Sequence, residues 1–266
     1  MSTEVPMVVP DRLRRLVRGV TVLSSTTTAD GPGDRHPLVH VPDADTSLIF
    51  RTTSADRADL RVIGPRTHAS YYVGKDFPLC LRIRLHPGAA RSLLGVPVNE
   101  LVDRVISLDE LWGASSNELT ATLAEAGGDP DLVIKHIEAA LLTRIATQSG
   151  ADLARGELVR AAAEALEERP DHRREPVPAI ARRLAVSERH LRDLFADGIG
   201  LPPKRFQRIG RVREVLAQAA GGRRWAQLSI SAGYYDQSHM TSEFRTLMGV
   251  TPTAFFAGRL PALRPC

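Results

Sequence analysis

The sequence has 266 residues, of which 43% are hydrophobic and 25% charged, and its formal net charge at pH 7 is +4. No apolar run reaches the roughly 18 residues of a membrane-spanning helix, and the N-terminus lacks the basic and then apolar pattern of a signal peptide. The only cysteines are Cys80 and Cys266, which argues against a disulfide-rich secreted domain. We therefore expect a cytoplasmic protein with one large core or two smaller ones.

The charge is distributed unevenly along the chain. Residues 155–266 contain 19 Lys and Arg against 12 Asp and Glu, whereas residues 1–154 contain 16 against 19. A basic segment beside an acidic one fits a nucleic-acid-binding domain joined to a sensor or partner-binding domain. The same excess also fits an arginine-rich solvated surface, so charge alone does not decide between the two.

The N-terminal half changes from strand patterns to helix patterns. The first 90 residues are predicted to be mainly strands and turns, with strands at 46–53, 59–63 and 79–85, the last of which alternates apolar and polar residues. The Pro87-Gly88 pair then marks the point where the apolar residues change from the spacing of a strand to that of a helix. Helices are predicted over residues 89–94, 98–106, 118–126 and 131–147.

The last third contains one sequence pattern twice. The first copy includes His190, Phe195, Gly200, Pro203 and Phe206, and the second has the same residue types 49 positions later, at His239, Phe244, Gly249, Pro252 and Phe255. Upstream of these residues the offset is 48, so one residue has been inserted near 233–235, where a turn can accommodate it. Tandem similarity of this kind indicates a duplicated structural unit.

Each copy predicts two short helices joined by a turn. In the first, a helix over 177–184 is followed by Ser187, which caps a second helix. In the second, a helix over 227–232 precedes Asp236, which caps a helix over 237–248, and a long helix is predicted between the copies at about 202–219. A second helix with one apolar and one polar face is the arrangement that places a helix in the DNA major groove.

The second copy carries the more specific pattern. Residues 233–240 read GYYDQSHM and are followed by Phe244-Arg245, Gly249 and Thr251-Pro252. These residues resemble the second-unit signature of the AraC/XylS family of bacterial transcription regulators, and the first copy resembles its less regular partner. The resemblance covers about residues 153–258 and implies two helix-turn-helix units at about 176–197 and 225–248.

The resemblance also implies which side chains contact DNA. Base contacts are implied, by matching position, for Arg189, Arg192, Asp193, Gln237, Ser238, Thr241 and Ser242. Contacts to phosphates, which position the protein without specifying sequence, are predicted for Arg182, Arg183, Arg205, Arg208, Arg223 and Arg245. The alternative for each of these is an ordinary solvent-exposed side chain.

Three residues depart from the family pattern. Asp193 and Glu243 stand close to positions where the family usually has a basic residue, and Ser229 replaces a small hydrophobic alanine. We expect the two acids to weaken contact with the DNA backbone. For Asp193 other roles are open, because it can accept a hydrogen bond from cytosine or pair with Arg189 at i, i+4 and aim that guanidinium.

The N-terminal half offers weaker signals. Residues 64–67, 81–95 and 108–113 resemble an uncharacterised sensor-like domain found in a subset of AraC-type regulators, which implies no known ligand. Its histidines lack the spacing of metal ligands: His36, His40, His68 and His86. Cys80 alternates with leucines of buried type, which favours a strand residue over a nucleophile.

The sequence therefore predicts a two-domain α+β protein. Residues 1–150 form a strand-rich sensor or dimerisation domain followed by helices, 153–258 an all-α double helix-turn-helix domain, and 259–266 a tail. The expected function is sequence-specific transcription regulation, with activation and repression both open. The expected partners are double-stranded DNA, RNA polymerase, a small-molecule effector and a second copy of the chain. We expect no catalytic site, metal, cofactor or membrane partner. Two alternatives remain open: a regulator that accepts alkyl groups on Cys80, and an interaction protein whose DNA-binding domain is weakened.

Overall fold

The computed structural model describes residues 3–24, 37–52, 58–73, 79–126, 128–167, 175–219, 221 and 224–265. Predictions that concern His36, Arg223 and Cys266 lie outside these residues. The strands of the N-terminal domain are β1 (Thr3–Met7), β2 (Val17–Ser24), β3 (Pro37–His40), β4 (Ser47–Thr52), β5 (Ala58–Ile63), β6 (Ser70–Val73), β7 (Cys80–Leu85) and β8 (Val105–Ser107).

Six of these strands form one antiparallel sheet in the order β1-β2-β7-β4-β5-β8, and β3 pairs with β6 separately. β7 lies inside the six-stranded sheet, where Ile83 is opposite Val20 of β2 and Leu48 of β4. All three side chains are buried, because alternate residues of a strand point to the same face of the sheet. The strand predicted from the alternating pattern of residues 79–85 is confirmed, and the structure places it inside the sheet.

The helices of the N-terminal domain cover the sheet. They are two short 3-10 helices (Asp11–Leu13 and Val98–Leu101), α1 (Ala89–Leu94), α2 (Asp109–Trp112), α3 (Ala114–Glu125) and α4 (Pro130–Ala146).

The prediction of a helix over 98–106 is wrong. The 3-10 helix stops at Leu101, and Asp103 has a positive φ of 56°, which a right-handed helix cannot contain. The chain then enters β8, where Ile106 is paired with Val62 of β5 and is buried. Pairing with a distant strand has overridden the local helical pattern.

Among its described residues the C-terminal domain is built of helices joined by turns. Its helices are α5 (Gly150–Glu167), α6 (Val177–Arg183), α7 (Glu188–Gly198), α8 (Pro203–Ala219), α9 (Trp225–Ser231), α10 (Gln237–Met248) and α11 (Pro252–Phe256). Both predicted N-caps are confirmed: the hydroxyl of Ser187 accepts from the His190 N–H at 3.1 Å, and the carboxylate of Asp236 accepts from the His239 N–H at 2.7 Å. None of the helices described here is both long and apolar enough to cross a membrane.

Each domain has its own hydrophobic core, and the two cores meet. The first core combines the six-stranded sheet with α1, α3 and α4, and the second combines α5 to α10. Four side chains of the N-terminal domain pack against the second core: Val41, Ala44, Ala69 and Val102. The domains therefore touch over a packed surface.

Two glycines permit the close approach of α5 to the first domain. Gly88 precedes α1 with a φ of 86°, and a Cβ at this position would lie 2.1 Å from the carbonyl oxygen of Gly156 in α5. A side chain at Gly88 is therefore excluded both by the backbone conformation and by the neighbouring helix.

Candidate nucleic-acid interface

The second helix of the first unit, α7, has one buried and one exposed face. Leu191, Leu194 and Phe195 are buried in the second core. The predicted base-contacting side chains are all exposed, and their i, i+3, i+4 spacing places them on one face of the helix: Arg189, Arg192 and Asp193. The sequence predicted a buried apolar face and an exposed polar face for this helix, and the structure confirms both.

One ion pair orders part of the exposed face of α7. The guanidinium of Arg192 lies 3.2 Å from the carboxylate of Glu188, one turn earlier. Among the residues that the structure describes, no ion pair joins Arg189 to Asp193. This geometry therefore does not support a role for Asp193 in orienting the Arg189 guanidinium. On the exposed face of α7, the arginine that pairs with a carboxylate is Arg192.

The second helix of the second unit, α10, borders an open concavity of about 750 Å³. Its lining consists of Gln237, Ser238, Thr241, Ser242, Arg245, Thr246 and Thr251. All four base-contacting residues predicted in this unit are among them. Two threonines were missed by the sequence analysis, although each is a polar residue on or just beyond the exposed face of a predicted helix: Thr246 and Thr251.

Glu243 lies on the opposite face of α10 from this concavity and is only 6% exposed. Its carboxylate accepts hydrogen bonds from Nε and Nη2 of Arg211, at 2.7–3.0 Å, and from Nε of Arg208 at 2.9 Å. Glu243 thus joins α10 to α8 inside the domain, and its effect on contact with the DNA backbone stays a prediction. Asp193, in contrast, is exposed on α7.

Arg211 also holds the turn that precedes α10. Its guanidinium lies 5.0 Å from the centre of the Tyr234 ring, a cation–π contact. Burial raises the pKa of Tyr234, and the nearby Glu243 carboxylate raises it further. Arg211 was not among the site residues predicted from the sequence; its i, i+3 spacing from Arg208 on the predicted long helix was the available signal.

The predicted phosphate-contacting arginines occupy different environments. Those with exposed side chains are Arg182, Arg183 and Arg245, and Arg205 is half-buried on α8. Arg208 has its Nε engaged by Glu243 and stays a proposed phosphate contact. Arg183 has the carboxylate of Glu175 at 3.3 Å.

Ser229, the third departure from the family pattern, is buried in α9. Its hydroxyl donates to the carbonyl oxygen of Ala226 at 2.8 Å, which satisfies the polar group within its own helix. The replacement of alanine by serine is therefore accommodated without an unpaired buried hydroxyl.

Comparison with protein-family models matches residues 180–258 to a family described as a helix-turn-helix domain. The matched segment begins within α6 and ends just after α11, so it contains most of the first two-helix unit, the long helix α8 and the whole second unit. The two helix pairs of the structure therefore lie largely within a segment that matches a helix-turn-helix domain.

Among solved structures, the chain is similar to ToxT from Vibrio cholerae. For the crystal structure of ToxT from strain O395 the TM-score is 0.43 at 10% identity, with 90% of this chain and 95% of that chain covered. Fatty-acid-bound wild-type ToxT from strain SCE256 gives a TM-score of 0.42 at 10% identity, with coverage of 87% and 100%. The likeness is distant, so the ligand named for ToxT is a property of ToxT. Comparison with the curated proteins finds no match.

Two side chains of the N-terminal domain, Cys80 and His40, lie in surroundings that disfavour their charged forms. Cys80 is 8% exposed, and burial raises the pKa of its thiol, whereas a nucleophilic cysteine needs a lowered pKa and access. Burial, together with Arg66 and Arg82, lowers the pKa of His40 to about 4. Over the described parts of the chain, no three His, Cys, Asp or Glu side chains form a group that could hold a metal ion.

Charged side chains of both domains meet where α8 faces the N-terminal sheet. We call this group the interdomain ion cluster: Arg18, Asp43, Asp45, Arg84 and Arg213. Arg213 of α8 lies 2.8 Å from Asp43, and Arg84 of β7 lies 2.6 Å from Asp45 and 3.3 Å from Asp43. Both aspartates are buried; Arg213 and Arg84 hold the pKa of Asp43 below its usual range despite its burial, whereas burial and the neighbouring Asp43 raise the pKa of Asp45.

Proposed function

We propose that the protein regulates transcription by inserting α7 and α10 into successive major-groove segments of one operator. The observation that carries the proposal is that each of these helices is capped at its start, buried on one face and exposes polar side chains on the other. The 17 residues of α8 separate the two units by about 25 Å at 1.5 Å per residue. Because successive major-groove faces are ~34 Å apart, tilt of the helices or bending of the DNA completes the fit.

Within this proposal both α7 and α10 contact bases of the operator. Base edges are contacted from α7 and α10 by Arg189, Arg192, Asp193, Gln237, Ser238, Thr241 and Ser242. The phosphates are contacted by Arg182, Arg183, Arg205, Arg208, Arg223 and Arg245. Residues 153–258 act as the DNA-binding domain, residues 1–150 as the sensor domain, and 259–266 as a tail.

The N-terminal domain would pass the state of an effector to the DNA-binding domain. Support comes from the interdomain ion cluster, in which Arg213 of α8 is held by Asp43. Since α8 connects the two helix-turn-helix units, a change at this cluster alters how the units face DNA. Activation through RNA polymerase, and pairing of two chains through the N-terminal half, complete the proposal; light scattering of the full chain tests the pairing.

Binding of the full chain to its own promoter region tests DNA recognition. Gln237→Ala should cost about 1–3 kcal/mol on the preferred site and flatten the preference among sequences. Arg205→Ala should weaken binding to all sequences alike and lower the salt slope by about one unit. Lys135→Ala, which removes an exposed cation from α4 of the other domain, is the matched control and should change neither.

The outcomes separate the candidate functions. Equal loss on every DNA sequence for Gln237→Ala would show that α10 does not contact bases. No retardation of any duplex at low salt, by a folded protein, would favour the interaction protein. Stoichiometric methylation of Cys80 with a change in DNA affinity would favour the alkyl acceptor, against which the burial of this thiol argues.

A further inference from the structure

A cavity of about 310 Å³ lies between the two domains. Its walls come from the N-terminal sheet, from the end of α5 at Glu167, and from residues 206–214 of α8. The volume is at the small end of the range for ligand cavities, which occur preferentially at domain interfaces. A molecule held here would contact both the sensor domain and the helix that joins the two helix-turn-helix units.

The charges around this cavity nearly balance. Four carboxylates and three guanidiniums line it: Asp43, Asp45, Glu167 and Glu214, with Arg18, Arg84 and Arg213. A monoanion would face the four carboxylates, and a monocation would face the three guanidiniums. A small molecule that carries one charge of each sign is complementary to both sets.

Arg213 has the geometry to bind the anionic end of such a molecule. Its Nη1 donates to the carbonyl oxygen of Pro42 at 3.5 Å and lies 2.8 Å from the carboxylate of Asp43. Within the described residues the structure records no partner for its Nε and Nη2. These two groups form the edge of a guanidinium that donates two parallel hydrogen bonds to a carboxylate.

The other end of the cavity offers an acceptor for a cation. The Glu167 carboxylate accepts from Arg18 through one hydrogen bond to each oxygen, at 3.1 and 3.0 Å. A carboxylate has about four acceptor positions, so an ammonium group can bind to the same oxygens.

One wall of the cavity is apolar and contains a glycine in the middle of a helix. Phe206 and Ile209 supply the apolar surface, and Gly210 lies beside them on α8. Glycine is the least favourable residue in a helix interior after proline, because it loses the most backbone entropy. Gly210 adds no side chain to this wall of the cavity.

We propose that the interdomain cavity binds a small zwitterion of the amino-acid type. The carboxylate of the ligand accepts from Arg213, its ammonium group donates to Glu167, and its side chain packs against Phe206 and Ile209. The step from binding to altered DNA affinity rests on the proposed function, since the ligand contacts α8.

The experiment uses the full chain and defined probes. Thermal unfolding is measured with each of the twenty common L-amino acids, and calorimetry follows for those that stabilise. We expect at least one amino acid to raise the midpoint by about 3 °C or more through binding to the folded state. The corresponding amine and the corresponding carboxylic acid, which each lack one charge, should bind at least tenfold more weakly.

Two variants locate the site, and one matched control accompanies them. Gly210→Val narrows the cavity and should abolish binding, whereas Ala217→Val, on the exposed side of the same helix, should leave it unchanged. Arg213→Gln should lower affinity for the amino acid at least tenfold but leave affinity for the corresponding amine unchanged. This comparison tests the ligand site even if Gly210→Val does not fold.

Three results would overturn the proposal: no amino acid binds, glucose or octanoate binds more tightly than every amino acid, or Gly210→Val binds as well as the wild-type chain. Gel shifts on the same preparations separate the two proposals. Specific DNA binding without amino-acid binding would contradict only the proposed ligand site. Amino-acid binding without DNA binding would contradict the proposed function and support the ligand site.

Discussion

Glu243 and Glu188 both pair with arginines of the DNA-binding domain, but in different surroundings. Glu243 is 6% exposed and is held by two arginines of α8, whereas the pair of Glu188 with Arg192 lies in solvent. Removing one partner of a buried pair leaves the other charges uncompensated, while an exposed pair contributes about 0–1 kcal/mol. The two glutamates therefore form a matched comparison on the same domain.

We predict that Glu243→Gln lowers the free energy of unfolding by about 2–3 kcal/mol, less than for a fully buried pair because Arg208 is partly exposed. Glu188→Gln should lower it by less than about 0.5 kcal/mol. Urea unfolding of both variants measures the difference. Equal effects would mean that Glu243 does not hold α10 against α8.

His40 provides a prediction for pH dependence. Its pKa falls from the ordinary value of 6.5 to about 4 in the folded protein, because burial and then Arg66 and Arg82 disfavour the charged ring. Between these values the unfolded chain binds the proton and the folded chain does not, so stability is lost as pH falls from 6.5 to 4.

We predict that His40→Gln removes about 2 kcal/mol from the loss of unfolding free energy on acidification. This figure is smaller than the full pKa shift implies, because the ring is partly exposed. Unfolding curves at pH 4.5 and 7.5 measure it. At pH 7.5 the ring is neutral in both states, so the difference there reports packing alone, including contact with Tyr72. A slope as steep in the variant as in the wild type would contradict the assignment.

At the scale of elements, β6 joins the N-terminal domain to the second helix-turn-helix unit. On one edge it pairs with β3, and on the other the Arg264 N–H donates to the carbonyl oxygen of Tyr71, with the Val73 N–H donating back to Arg264. The hydroxyl of Tyr71 donates to the carbonyl oxygen of Met248 at the end of α10. A short strand and the tail thus hold the end of α10 in place.

We predict that Arg264→Pro lowers the unfolding midpoint by roughly 2–5 °C, because proline cannot donate the hydrogen bond to Tyr71. Arg264→Ala retains the N–H and loses only an exposed side chain, so its midpoint should stay within about 1 °C of the wild type. Thermal unfolding followed by circular dichroism measures both. A fall of the same size for the alanine variant would show that the side chain, and not the backbone pairing, attaches the tail.

The whole molecule consists of two cores joined by polar and apolar contacts. Arg91 of α1 pairs with Asp197 of α7, and the Ala69 N–H donates to the carbonyl oxygen of Leu247 at 2.8 Å. Together with the interdomain ion cluster, these contacts attach both helix-turn-helix units to the sensor domain. The DNA-binding domain nevertheless has a core of its own, from Val159 to Met248.

We predict that the fragment 153–266 folds and binds duplex DNA alone, because its core is of domain size. It should unfold at a lower temperature than the full chain, since it exposes the surface that Val41, Ala44 and Ala69 cover. Circular dichroism and gel shifts at low salt test both parts. A helical fragment that retards no DNA would instead favour an interaction protein.

The sequence by itself determined α6 to α10 and the caps at the starts of α7 and α10. Ser187 and Asp236 accept hydrogen bonds from amides three residues away, and the apolar faces of α7 and α10 follow from a period of 3.6 residues. These features depend on neighbours within one or two helical turns. A pattern repeated 49 residues apart therefore predicts them without knowledge of the rest of the chain.

Only the tertiary structure decided the features that join distant segments. Ile106 lies in a strand because Val62 is opposite it, and Glu243 faces the interior because two arginines of α8 meet it there. The pairing of Asp43 with Arg213 joins residues of different domains. A buried charge or an edge strand is stable only when its partner is present, and the identity of that partner is set by how the chain folds in space, which the local pattern of residues does not contain.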